Sequence, residues 1–121
     1  MTTKLLLDQP ISDDSSQVLL RSKLRAVSRR MGFQDALRER IELVCNELVT
    51  NQLKYAGRRG LVQVWEHVND DFTALDLFAL DYGPGIANLP AALQDGYTTS
   101  GTMGKGLGAI QRLSSECEFY T

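Results

Sequence analysis

The chain has 121 residues, a length at which we expect one domain with a buried hydrophobic core. Hydrophobic residues make up 43% of the chain and charged residues 23%, the proportions of an ordinary soluble globular domain. The formal net charge is only −2 and no apolar run is long enough to span a bilayer, so the sequence as a whole points to neither nucleic acid nor membrane.

The N-terminus and the cysteines predict a cytoplasmic location. Met1 to Asp8 lacks a signal-peptide pattern because its apolar part is very short. Cys45 and Cys117 lie far apart and outside any paired motif. Reduced thiols are therefore favoured over a disulfide.

The first part of the chain predicts a strand and then a helix. Lys4 to Ile11 is typical of a short strand, and Pro10 indicates a sheet edge or a strand end. A helix follows from about Ser15 to Met31, since N-cap residues precede it and Gly32 ends it. Its predicted buried stripe consists of Val18, Leu20, Leu24, Val27 and Met31.

The other face of this helix is basic, with Arg21, Lys23, Arg25, Arg29 and Arg30. We interpret it as a solvated helix surface, and docking of a partner protein is the less favoured alternative. Nucleic-acid binding through this face is disfavoured by the acidic net charge.

A second helix and a hairpin follow. The helix is predicted from about Gln34 to Tyr55, and the two strands from Leu61 to Val68 and from Phe72 to Asp81. The buried stripe of the helix is predicted at Leu37, Ile41, Val44, Leu48 and Tyr55.

The C-terminal part predicts a loop, a helix and a last strand. Asn88 to Asp95 is short and helical or irregular, and Gly96 to Gly108 is a glycine-rich loop. A helix from Leu107 to Leu113 and a strand from Glu116 to Tyr120 complete the chain. This order of elements favours an α/β architecture, an α+β two-layer sandwich with helices on one face of a mixed, mostly antiparallel sheet.

A polar stripe on the second helix is the first candidate for function. Glu47, Asn51 and Lys54 fall within roughly 60° of arc on a helix, beside the apolar stripe. Glu47 is suited to act as a general base, Asn51 offers an oxygen for Mg²⁺, and Lys54 offers a charge for phosphate. On this helix alone, an ordinary surface network is the favoured explanation of the spacing.

The second candidate is Asp81, which ends a strand directly before a Gly-Pro-Gly turn. Gly83 and Gly85 let the backbone approach a ligand closely, because glycine has no Cβ. A carboxylate beside such backbone is suited to hold a flat polar ring. The same residues also make an ordinary turn.

The third candidate is the glycine-rich loop, which leads directly into a helix. Bare N–H groups at a helix N-terminus bind phosphate, and Lys105 adds charge. The loop has neither the Walker A order nor a Rossmann context. A plain linker is the alternative, although a loop of this length inside a compact domain favours a lid.

Together and in this order, the three segments resemble the GHKL ATPase superfamily with its Bergerat nucleotide-binding fold. Glu-x-x-x-Asn lies on a helix, Asp-x-Gly-x-Gly follows a strand, and Gly-x-Gly-x-Gly precedes a helix. The runs 47–56 and 95–110 look most like the anti-sigma-factor serine/threonine kinases, in particular the switch kinases of bacterial stress signalling. The resemblance covers nearly the whole chain.

The resemblance implies ATP or ADP as ligand, Mg²⁺ as cofactor and a role for each matching residue. Asn51 is the implied Mg²⁺ ligand, Glu47 the carboxylate that activates the attacking hydroxyl, and Asp81 the acceptor of the adenine amino group. Gly83 and Gly85 pass under the base. The implied lid over the phosphates consists of Thr98, Thr99, Gly104, Lys105, Gly106, Leu107 and Gly108.

The resemblance also implies partners. The implied substrates are antagonist proteins that have the STAS fold and are phosphorylated on a serine or threonine. A sigma factor or a phosphatase is a further implied partner. Family members continue into one more strand, whereas this sequence stops at Thr121, so we expect a single ATP-binding domain that lacks this strand or is cut from a longer chain. The alternative function is a regulatory ATP-binding module with little transferase activity, fused to a phosphatase domain.

Overall fold

The computed structural model describes residues 2–55, 60–81, 106–115 and 117–118. Its elements in chain order are β1 (Thr2–Ile11), α1 (Asp14–Arg30), α2 (Asp35–Tyr55), β2 (Gly60–Val68), β3 (Thr73–Asp81) and α3 (Gly106–Leu113). Each lies within two residues of its predicted bounds. Of the predicted strand from Glu116 to Tyr120, only Cys117 and Glu118 are described, and neither is in a strand; the predicted segment 88–95 lies outside the described residues.

The three described strands form an antiparallel sheet in the order β1-β2-β3. Among these strands β1 is at the edge, as Pro10 predicts, because an edge position tolerates a residue without an N–H. The β1–β2 register shifts between Leu5 and Leu7, so β1 carries a bulge. At one end of the sheet Gly60, the first residue of β2, pairs with Ile11 and Asp81, the last residues of β1 and β3. The ends of the three strands therefore coincide there.

The helices cover one face of the sheet, and the core lies between the two layers. Its buried cluster takes residues from α1, α2, β1 and β2: Ile11, Leu20, Leu24, Ile41, Cys45, Val49, Val62 and Val64. Leu75, Leu77 and Ala79 of β3 pack against this cluster at their partly buried positions. None of the three described helices combines the length and the apolar character needed to cross a bilayer.

Two residues predicted to be buried are exposed. Val18 is 62% exposed, because it lies two positions from Leu20 and therefore points about 200° away from it around α1. Leu37 is 41% exposed, since it lies in the first turn of α2, which the core cluster does not reach. Leu48 is half-buried, whereas its neighbour Val49 is buried.

The ends of α1 follow the predicted capping. Asp13 is the N-cap residue, and its Oδ1 accepts a hydrogen bond from the Ser16 N–H at 2.9 Å. Gly32 follows the helix with φ 77°, a left-handed conformation that favours glycine. Both ends of α1 are thus fixed by local sequence.

Candidate functional site

The predicted polar stripe lies on α2, on the turns that lead to its C-terminal end. Glu47 and Asn51 are half-buried, whereas Lys54 in the last turn is exposed. The Asn51 Nδ2 atom is buried and has no hydrogen-bond partner among the described residues. A buried amide without a partner is costly in a protein interior, so this side chain has capacity left for a ligand.

Gln52, the next residue, was not predicted as part of the site. Its side chain is only 3% exposed, and its Nε2 atom donates to Leu61 O at 3.1 Å and to Leu80 O at 3.0 Å. Those carbonyls belong to paired residues of β2 and β3. One signal was available in the sequence: Gln52 continues the buried stripe of α2 three residues after Val49, where an apolar side chain is expected.

Asp81 is the last residue of β3 and is exposed at the end of the sheet. It directly follows Leu80, whose carbonyl accepts the hydrogen bond from Gln52. Asn51 directly precedes Gln52 in α2. The structure therefore brings the C-terminal part of α2 and the C-terminal end of β3 to the same end of the sheet.

The last part of the predicted lid is helical. Gly106, Leu107 and Gly108 form the first turn of α3, so the last three residues of the predicted loop are helical and the helix predicted from Leu107 begins one residue earlier. Helix α3 packs against α2, and its Ile110 is 3% exposed. The N-terminal turn of α3 thus belongs to the helix layer that carries Asn51. The other predicted ligand contacts, at Gly83, Gly85, Thr98, Thr99, Gly104 and Lys105, lie outside the described residues.

Asn51 offers an amide oxygen that could help to hold a metal ion. In the described part of the chain no group of three or more His, Cys, Asp or Glu side chains is placed to hold a metal ion. Mg²⁺ keeps several waters and is commonly bound through one or two protein oxygens and the phosphates of a substrate. The amide oxygen of the half-buried Asn51 could serve as one such protein oxygen, whereas its Nδ2 is a donor suited to an acceptor such as a phosphate oxygen.

Two open grooves on the described surface lie away from these residues. One, of about 370 Å³, is lined only by α1, and the other, also of about 370 Å³, lies on the uncovered face of the sheet around Trp65 and Phe78. Neither contains a predicted site residue, and much of the predicted nucleotide lining is outside the described ranges. On α1, Arg25 pairs with Glu42 of α2, so this part of the basic face has a structural role.

Two comparisons with known proteins identify the family of this chain. Residues 12–121 match the family described as the histidine kinase-like ATPase domain. The chain is also similar to the serine/threonine-protein kinase RsbT of Bacillus subtilis (strain 168). The two are 34% identical over 92 residues, which is 76% of this chain and 68% of RsbT.

Proposed function

We propose that this chain, which belongs to the histidine kinase-like ATPase family, is a serine/threonine kinase that phosphorylates a STAS-domain antagonist with MgATP in a bacterial partner switch. One observation carries the assignment of the site. A hydrogen-bonded contact joins the helix turn after Asn51 to the strand end before Asp81. The residues assigned to the two ends of one nucleotide therefore lie on elements that meet.

Asp81 is the proposed adenine contact. Its carboxylate is exposed at the end of β3, where the chain continues into Gly83 and Gly85. A carboxylate accepts hydrogen bonds only, so it suits the exocyclic amino group of adenine and not the carbonyl of guanine at the same position. This turn selects the base.

Asn51 and Lys54 are the proposed contacts to the other end of the nucleotide. Mg²⁺ neutralises the charge that develops on the phosphates during transfer. Asn51 would hold that ion through its amide oxygen, and Lys54, exposed in the last turn of α2, would add a positive charge for phosphate. The N–H groups of the first turn of α3 are proposed to face the phosphates from the neighbouring helix.

Glu47 is the proposed general base. It lies four residues before Asn51, so the two side chains share one face of α2. Phosphoryl transfer depends mainly on positioning and charge neutralisation, and one carboxylate suffices to orient the attacking hydroxyl and take its proton. The hydroxyl itself would come from a serine or threonine of the partner protein in the cytoplasm.

The kinase proposal is tested with labelled ATP, Mg²⁺ and a candidate STAS-domain protein. We expect label on the partner with the wild type, and transfer reduced by at least about 100-fold with Glu47→Ala while ATP binding is retained. Glu39→Ala is the matched control, since Glu39 is an exposed glutamate on the same helix. Tight ATP binding without any transfer to STAS partners would instead favour a regulatory nucleotide-binding module.

The adenine contact is tested separately by equilibrium binding of adenosine. Asp81→Asn should weaken adenosine roughly tenfold, because the amide loses the charge-assisted acceptor. Asp76→Asn is the control, since Asp76 is an exposed aspartate on the same strand. Equal affinities of wild type and Asp81→Asn for adenosine would rule out the assignment of Asp81.

A further inference from the structure

The contact made by Gln52 differs in kind from the core contacts between α2 and the sheet. Ile41, Cys45 and Val49 pack on Val62 and Val64 through apolar surfaces. Such contacts are non-directional, so they define the position of a helix along a sheet less sharply than a hydrogen bond does. The two hydrogen bonds from Gln52 at 3.0 and 3.1 Å depend on direction and distance.

The geometry fixes the orientation of the Gln52 amide. Its nitrogen faces two carbonyl oxygens, and a flipped amide would bring Oε1 against both of them. Oε1 is itself buried without a hydrogen-bond partner among the described residues. A buried amide whose nitrogen is hydrogen-bonded but whose oxygen is not costs stability. Residues that lower stability in this way are typical of functional sites.

We propose that Gln52 is a positioning residue that sets the distance between the two ends of the nucleotide site. It acts through its neighbours: Asn51 precedes it in α2, and Asp81 follows Leu80, the residue to which it is bonded. MgATP must contact both ends of the site at once, so a small shift of α2 along the sheet weakens the binding of MgATP. Adenosine engages only the end at Asp81. This inference rests on the proposed nucleotide site.

The test compares binding of MgATP and adenosine to wild type, Gln52→Met and Gln63→Met by titration calorimetry. Methionine keeps the length and volume of the side chain but has no donor. Gln63 is the matched control, since it lies on the uncovered face of β2. We expect Gln52→Met to raise the Kd for MgATP about tenfold and to leave adenosine within about twofold, because a misplacement of 1 Å in a site has large effects. Gln63→Met should change neither Kd.

A structural role alone would give a different result. Equal weakening of both ligands by Gln52→Met, or no change in the Kd for MgATP, would overturn the proposal. If wild type fails to bind MgATP, or Asp81→Asn leaves adenosine unaffected, the proposed nucleotide site itself is wrong. The two failures are therefore distinguishable.

A second variant covers the case in which Gln52→Met does not fold. Gln52→Asn keeps the amide but is shorter by one methylene group, so its nitrogen cannot stay within hydrogen-bond distance of both carbonyls from the same backbone position. It should weaken MgATP and leave adenosine within about twofold, as expected for Gln52→Met. An unchanged MgATP affinity in Gln52→Asn would contradict the role of the two donated hydrogen bonds.

Discussion

Gly60→Ala should destabilise the protein because of Gln52. Gly60 is the first residue of β2 and does not have a positive φ, so its backbone accepts alanine without strain. A Cβ at this position would lie 2.7 Å from Cδ and 2.8 Å from Oε1 of Gln52. Contacts this short require the buried glutamine to move away from its two carbonyl partners.

The expected magnitude follows from two opposing effects. Alanine in place of glycine reduces the entropy of the unfolded chain and would by itself stabilise the fold by about 0.4–1 kcal/mol. Crowding a packed interior costs about 1–3 kcal/mol. We therefore expect a net loss of about 1–2 kcal/mol in the free energy of unfolding, a decrease in Tm of about 4 °C for each kcal/mol.

The assay is urea denaturation of four proteins: wild type, Gly60→Ala, Gln52→Ala and the double variant. The two shortest contacts are to side-chain atoms that alanine lacks, and only the 3.1 Å approach to the Cβ of residue 52 remains. Gly60→Ala should therefore cost clearly less in the Gln52→Ala background. Unfolding free energies that fall equally in both backgrounds would refute the steric argument.

Three further predictions concern the core and the helix cap. Leu24→Ala should cost about 2–5 kcal/mol of unfolding free energy by urea denaturation, because Leu24 is 0% exposed; Val18→Ala, at a 62% exposed position of the same helix, should stay within about 0.5 kcal/mol. Burial raises the pKa of the Cys45 thiol to about 12, so at pH 8 iodoacetamide should label Cys45 only as fast as the protein opens; rapid native-state labelling would contradict its burial. Hydrogen bonds, foremost the one from the Ser15 hydroxyl, lower the pKa of Asp13 below its ordinary value of 3.8. The ionised carboxylate therefore stabilises the fold above pH 3.8, and this stabilisation is lost as the pH falls through the lower pKa of the folded state. The difference in Tm between wild type and Asp13→Ala should therefore shrink on acidification below about pH 4, and a difference that grows would contradict this sign.

The helices were predictable because their signals are local. Spacing and caps located α1 and α2 to within a residue or two, and Pro10 indicated the edge position of β1. Which residues of a helix are buried depends on what packs against it, and spacing alone made Val18 and Leu37 core residues, whereas both are exposed.

The candidate site was predictable in part for the same reason. The four-residue separation of Glu47 and Asn51 specifies a shared helix face, and Asp81 was recognised at the end of its strand. Gln52 was missed because its hydrogen bonds join residues distant in the chain, and the sequence contains no local sign of which carbonyls meet which helix. The start of α3 was predicted one residue late, at Leu107, because glycine is a weak helix former.

The position of β1 in the sheet affects the order in which the fold assembles. Thr2 pairs with Val68 and Ile11 with Gly60, so both α1 and α2 lie in the chain between the paired strands. Strands β2 and β3 are joined instead by the short turn at residues 69–72. Because a short loop closes at lower entropic cost than a long one, we expect the hairpin to form early and β1 to join late. During synthesis β1 leaves the ribosome first, and until its partner emerges, its unpaired edge must be kept from pairing with other chains.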